Sequence, residues 1–207
     1  MRTCILLSLV GFSLLGLAGT PALGSAATSP PPAEWQLTPF VGFQTGGNLD
    51  DVSTGRTLDF DAGGVLGITV GRSLDHETRL EGTWSHQRST LSGTGISLAV
   101  DHLHFAGVYE PEPKKRAGGF VLFSAGVSRL ALDQPGLDPE TRFSLSIGGG
   151  GRFPLGNHIS LRLEARGWFI FTNSDGSAFC SQGGCQFRFS GDGILQVEIS
   201  TGITFAF

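Results

Sequence analysis

The sequence predicts an all-β chain: an eight-stranded antiparallel transmembrane up-and-down β-barrel. Three observations predict it. From Trp35 onward, bulky apolar residues recur at every second position, which is the strand period. The alternating runs are long, about 10–13 residues, where globular strands average ~5–6 and a tilted membrane-crossing strand needs ~9–11. The links between runs alternate between long and short, as they do when a chain climbs and descends one closed wall. Composition agrees: 32 glycines and only 15% charged residues suit curved, closely packed strands better than helices.

The chain opens with a segment that does not belong to the barrel. Met1-Arg2-Thr3 is a short basic start, Ile5 to Gly19 is apolar, and small residues follow from Ala22 to Ala26. This is the three-part pattern of a secretory signal peptide, expected over residues 1–26. The apolar run is shorter than the ~20 residues of a spanning helix, and Cys4 precedes it, so it is not a lipoprotein cysteine. Removing the segment takes away Arg2 and Cys4, leaving Cys180 and Cys185 and a net charge one unit below the −4 of the full chain. An acidic exported chain has no electrostatic case for nucleic acid. Residues 27–34, ATSPPPAE, read as a stiff Pro-rich linker, and 35–207 as the barrel.

The runs follow in order. WQLTPFVGFQ (35–44) sets Trp35, Leu37, Pro39, Val41 and Phe43 against Gln36, Thr38, Phe40, Gly42 and Gln44. A polar loop, 45–56, leads to LDFDAGGVLGITVG (58–71), with Phe60, Ala62, Leu66, Ile68 and Val70 on one face. After the turn 72–77, TRLEGTWSHQR (78–88) opposes Leu80, Gly82 and Trp84 to Arg79, Glu81, Thr83 and Ser85. LAVDHLHFAGVYE (98–110) places Leu103, Phe105, Gly107 and Tyr109 together but alternates less cleanly, and FVLFSAGVSRLAL (120–132) is apolar on both faces near its start. RFSLSIGGGGRF (142–153) and ISLRLEARGWFIF (159–171) are the clearest: apolar residues on one side, Arg, Glu, Ser and Gly on the other. A long polar loop from Thr172 precedes the last run, QVEISTGITFAF (196–207).

Alternation alone leaves two alternatives open: a soluble barrel with its apolar face around a ligand, or a membrane barrel with that face outward. Strand length, aromatics near several strand ends and scarcity of lysine favour the membrane. The polar face carries Arg79, Glu81, Arg142, Arg152, Arg162, Glu164, Arg166 and Glu198. On the lipid side a midplane arginine costs roughly 2–4 kcal/mol, so these must face the lumen, where Ser144, Ser146, Gly148 and Gly150 leave room for them. Eight strands enclose a space just wide enough for side chains to fill, and buried ions must pair. The set therefore reads as a structural plug, with a narrow or gated pore as the alternative.

The last strand alternates Val197, Ile199, Ile203, Phe205 and Phe207 with small and polar residues. It resembles the terminal-strand signature of bacterial outer-membrane β-barrels, which implies that these five residues are read by the barrel-assembly machinery. PFVGF (39–43) and GGGGRF (148–153) are similar to the wording of the small outer-membrane β-barrel-domain family, the OmpA-like or OmpX-like, porin-like eight-stranded barrels. The resemblance covers Trp35 to Phe207. It implies a place in the outer membrane of a Gram-negative-type cell, with outer-membrane lipid around the wall. The N-terminus and short turns would be periplasmic and the four long loops extracellular. No peptidoglycan-binding domain is expected after the barrel.

Other candidate sites reduce to structure. CSQGGC, Cys180 to Cys185, reads as a disulfide at a loop tip; two thiols with no nearby histidine fall short of a structural zinc site, and no metal is expected. His102 and His104 share a face and read as a polar lumen pair. His158-Ile159-Ser160 is similar to the His-x-Ser of outer-membrane lipid A deacylases, but Leu161 stands where that motif has Asn, and the segment lies in a short turn. Gly148–Gly151 and Thr45–Asn48 open no helix and precede no Lys-Ser/Thr, so they are not phosphate loops. The expectation is a non-enzymatic protein without cofactors, structural or surface-interacting through ligands at its outer loops. The rivals are a small-solute channel and a soluble periplasmic ligand-binding barrel.

Overall fold

The computed structural model describes residues 35–207 apart from 52–54, 56, 91, 94, 112–116, 135–136, 172–176, 182–183 and 190–192, with backbone alone at 48–51, 57–58, 177–181 and 184–189. The expected signal peptide and linker, 1–34, lie outside the described residues.

Eight strands close into an antiparallel barrel. They are β1 (Trp35–Thr45), β4 (Gly63–Ser73), β5 (Thr78–Thr90), β6 (Ser97–Tyr109), β7 (Gly118–Leu132), β8 (Glu140–Pro154), β9 (Ile159–Phe171) and β12 (Gly193–Ala206). Each strand pairs with its sequence neighbours around the wall, and β12 returns to β1. The seam closes with Trp35 and Phe207 exchanging backbone hydrogen bonds of 3.0 and 2.9 Å, which leaves the barrel no open edge. Short turns gather at one rim and long connections at the other. In the turn between β4 and β5, the Asp75 carboxylate accepts from the Glu77 and Thr78 amides at 2.8 and 2.7 Å. Those bonds hold its carboxyl below the usual range.

Two segments expected as loops are strands. β2 (Asn48–Asp51), β3 (Thr57–Asp59), β10 (Ser177–Ser181) and β11 (Gly184–Phe189) form a second sheet in the order β10-β11-β2-β3 beyond the long-connection rim. Their alternation is too short and too polar to stand out. The expected second run also starts late: β4 begins at Gly63, and Phe60 leaves the outward face to lie buried under the barrel mouth. Gly46 and Gly47, at φ +98° and +95°, turn the chain out of β1. The Phe60 amide then donates to the Gly47 carbonyl at 3.0 Å, which fixes the ring over the opening.

The apolar face points out. Val41, Phe43, Leu80, Phe105, Phe123, Ile147 and Ile199 are all exposed, while Arg79, Glu81, Arg162, Glu164, Arg166 and Glu198 are buried inside. That arrangement overturns the soluble ligand-binding barrel. A water-soluble chain would bury the first set, whereas hydrocarbon accepts it. The belt ends near the long-connection rim of β5–β7, where Arg88 and Arg129 are exposed and His86 pairs with Asp101 at 2.8 Å.

The irregular alternation of β6 and β7 has a physical cause. Both faces of these strands are partly apolar because the lumen itself holds two apolar clusters. Phe60, Leu98, Val100, Leu130, Leu132, Ile170 and Ile194 seal the long-connection end. Ala106, Val108, Phe120 and Leu122 pack in the other half.

Candidate functional site

The candidate site is the lumen, built in layers by the inward positions of all eight barrel strands. Nearest the short-turn rim is an ion network. Glu81 of β5 accepts both guanidinium nitrogens of Arg162 from β9, at 2.7 and 2.9 Å, and the Nε of Arg79 at 2.7 Å. Arg162 Nε also donates to Glu164 at 2.9 Å, and Arg166 Nε to the other oxygen of that carboxylate at 2.7 Å. Glu110 takes Arg79 Nη1 at 3.2 Å and bonds to Arg152. Arg162 lies 4.4 Å over the Phe120 ring, so the apolar cluster of this half serves as the floor of the network. Buried arginines are tolerable here because each faces carboxylates at hydrogen-bond distance.

Above it, Arg166 sits 5.0 Å over the Trp168 ring, whose indole N–H donates to Glu198 at 3.1 Å. Trp168 is fully buried, with His102 stacked on it at 4.1 Å and His104 edge-on at 4.7 Å. A chain of side-chain hydrogen bonds crosses the bore at this level, and two backbone carbonyls fix the orientation of its glutamine amides. Gln87 Nε2 donates to the Gln44 carbonyl at 3.1 Å, so Gln87 Oε1 faces the Gln196 amide. Gln196 Nε2 also donates to the Gly46 carbonyl, so its Oε1 accepts from Gln44 Nε2 at 2.9 Å. The second Gln44 N–H then points at His102 Nε2, 3.1 Å away, which must be the bare nitrogen.

His102 therefore carries its proton on Nδ1, which lies 2.6 Å from Ser128 Oγ. A contiguous run of polar atoms continues from there: Ser128 to Ser144 (2.6 Å), Ser144 to His104 Nε2 (2.7 Å), His104 Nδ1 to Ser124 (2.9 Å) and Ser124 to Ser146 (2.5 Å). This run ties both imidazoles to serine hydroxyls, and no group of three or more metal-binding side chains occurs among the described residues.

Of the eight charged residues singled out in sequence, seven lie in these two layers. Arg142 lies far from the ion network: it stands ten positions along β8 from Arg152, roughly 33 Å away at ~3.3 Å per residue, opposite Ser128, and pairs with Glu140 at 2.8 Å. Glu110 was missed; carrying the inward phase of β6 from Ala106 and Val108 one step past the strand end would have found it. The glutamine girdle and Trp168 were missed because Gln and Trp carry no charge to mark them. Cys180 and Cys185 are directly opposite in the β10–β11 register; their side chains lie outside the described ones. His158 is exposed in the turn while Ser160 points into the lumen, so the two do not converge. Val197, Ile199, Ile203, Phe205 and Phe207 line the outward face of the closing strand and its end.

A cavity of about 290 Å3 opens at the short-turn mouth beside Arg79, Glu110 and Arg152, but deeper in the bore little space is left. The void among Phe40, Thr69, Arg162, Glu164, Arg166 and Ser200 is about 10 Å3, the room of about one water.

Comparison with solved structures finds the same architecture at low identity. Neisserial surface protein A superposes with a TM-score of 0.61 and 10% identity, covering 84% of this chain and 97% of that one. OprG of Pseudomonas aeruginosa gives 0.54 and 10%, covering 84% and 96%. A major outer membrane protein of Thermus thermophilus gives 0.52 and 13%, covering 84% and 99%. At such identities the likeness is one of fold. No curated protein matches the sequence. The model of the outer membrane protein beta-barrel domain, however, matches residues 15–190. An outward apolar belt, a charged interior and a family model spanning most of the chain lead to one conclusion: the protein belongs to the outer membrane protein β-barrel domain family, and its place is the bacterial outer membrane.

Proposed function

We propose that the protein has a structural or surface-interaction role in the outer membrane, exercised through the long-connection rim, and that it is not a diffusion pore. The observation that carries this reading is the filled lumen: an apolar seal, a stacked Trp–His layer and a neutralised ion network lie one above another along the bore. The sheet β10-β11-β2-β3 offers the only extended backbone surface among the described residues beyond the barrel wall. In this reading the long-connection rim is extracellular and contacts external ligands. The short turns and Trp35 are periplasmic, and Val197, Ile199, Ile203, Phe205 and Phe207 are what the assembly machinery reads.

The test is planar-bilayer conductance of the purified barrel, paired with protease added to intact cells. We expect no steps of open-pore size, no change on Glu164→Gln, and cleavage confined to the long connections. Conductance steps that shift on Glu164→Gln or Arg166→Gln would establish the channel reading instead.

A further inference from the structure

The outer wall carries a furrow that the belt around it does not explain. Strand register sets Phe43, Ile199, Ala165 and Gly149 side by side on one outward rung of β1, β12, β9 and β8. The next rung toward the short turns holds Val41, Thr201, Leu163 and Gly151. The smallest side chains thus cluster across two adjacent strands, with Phe43 and Ile199 on one bank and Phe153 beyond the other. The hollow between them is about 700 Å3, within the ~300–1,000 Å3 usual for a small-molecule site.

The bare floor at Gly149 is imposed by the backbone: a Cβ added there would stand 2.8 Å from the Phe120 carbonyl oxygen. Ala165 and Gly151 beside it bring no more than a methyl group to the floor, and nothing closes the hollow from above: Phe43 and Ile199 are 73% and 67% exposed.

We propose that this furrow is a binding site for one acyl chain of a membrane lipid, held in a fixed place on the barrel. Ala165 is the middle residue of β9, so the furrow opens at mid-wall, where the surrounding medium is hydrocarbon. Its floor is two strands wide, and neighbouring strands are ~4.7–4.9 Å apart, which suits a single extended chain. Its lining is apolar or glycine except for Thr201, Ser200 and Glu164, and the last two are buried on the lumen side, so it selects for a hydrocarbon tail and not a headgroup. A second copy fits poorly. A two-fold contact uses the same patch on both partners, and two facing hollows would enclose a void rather than fill it. Dispersion contacts with the Phe43 ring, the Phe153 ring and Leu163 on both flanks favour a chain lying in the furrow over one sliding on a smooth wall.

Native mass spectrometry tests this on the full-length barrel released from bilayers of palmitoyl-oleoyl phosphatidylethanolamine. Wild type should retain one lipid per chain. Ala165→Phe, which fills the floor from an outward position, should retain less than a fifth as much, and Thr201→Phe should do the same by an independent route. Ala125→Phe, on the wall at β7, should retain the wild-type amount. Folding of each variant is read from its mobility in cold SDS. Equal retention by wild type and both furrow variants would overturn the proposal. So would no retained lipid on wild type, or a lipid-free dimer that Ala165→Phe dissociates.

Discussion

Glu81 is the residue on which the lower lumen turns. It faces three guanidinium donors from two arginines, so removing its carboxylate leaves buried Arg79 with Glu110 alone and buried Arg162 with Glu164 alone. We expect Glu81→Ala to destabilise the barrel by about 3–5 kcal/mol, as breaking one side of a buried pair does. The measurement is the urea midpoint of unfolding in lipid. Replacing Glu81 and Arg162 together with methionine should cost clearly less, because the two charges removed cancel while Arg79 keeps Glu110 and Glu164 keeps Arg166. The arginines and glutamates of this network were legible in sequence, since a charge inside a long alternating run has nowhere else to go. What they touch was not. Glu81 sits on β5 and Arg162 on β9, and only closure of the wall brings residues 81 positions apart within 2.7 Å.

At the scale of the element, β8 is the strand least tolerant of change. The Cβ that Gly150 lacks would meet the Leu163 carbonyl at 1.9 Å, and the one Gly148 lacks would meet the Ala165 carbonyl at 2.7 Å. Both clashes are with backbone of β9, so they are relieved only by parting the strands. Gly150→Ala should therefore lower the yield of folded barrel far more than Gly107→Ala, whose Cβ would meet nothing within 4 Å; circular dichroism and folded-band intensity after refolding check this. The run of four glycines was visible in sequence as close strand packing, and the structure supplies the atoms that demand it. The eight wall strands were legible because a membrane-length strand repeats its two-residue period five or six times. The second sheet was not, because NLDD and TLD are too short to show any period. The inner faces of β6 and β7 were ambiguous because apolar clusters inside the lumen cancel the contrast with lipid outside.

The whole molecule is held from two sides, by hydrocarbon around the belt and by ions and stacked rings within. A barrel closed by Trp35 and Phe207 has no edge from which detergent can peel it. Extracted protein should run as a compact, fast band in cold SDS and shift to its full apparent mass only on boiling. One band at both temperatures, with the protein soluble without detergent, would contradict the outward belt.

The hydrogen-bond chain across the bore has a consequence of its own. The Gln44 amide lies at its centre and donates both ways, to Gln196 and so on to Gln87 on one side, and to His102 on the other. The two arms run outward from one nitrogen, and their bond dipoles point apart. The Gln44 and Gly46 carbonyls anchor Gln87 and Gln196, so the Gln44 amide cannot turn over without setting oxygen against oxygen at Gln196. Losing that one amide would sever the glutamine arm from the imidazole arm.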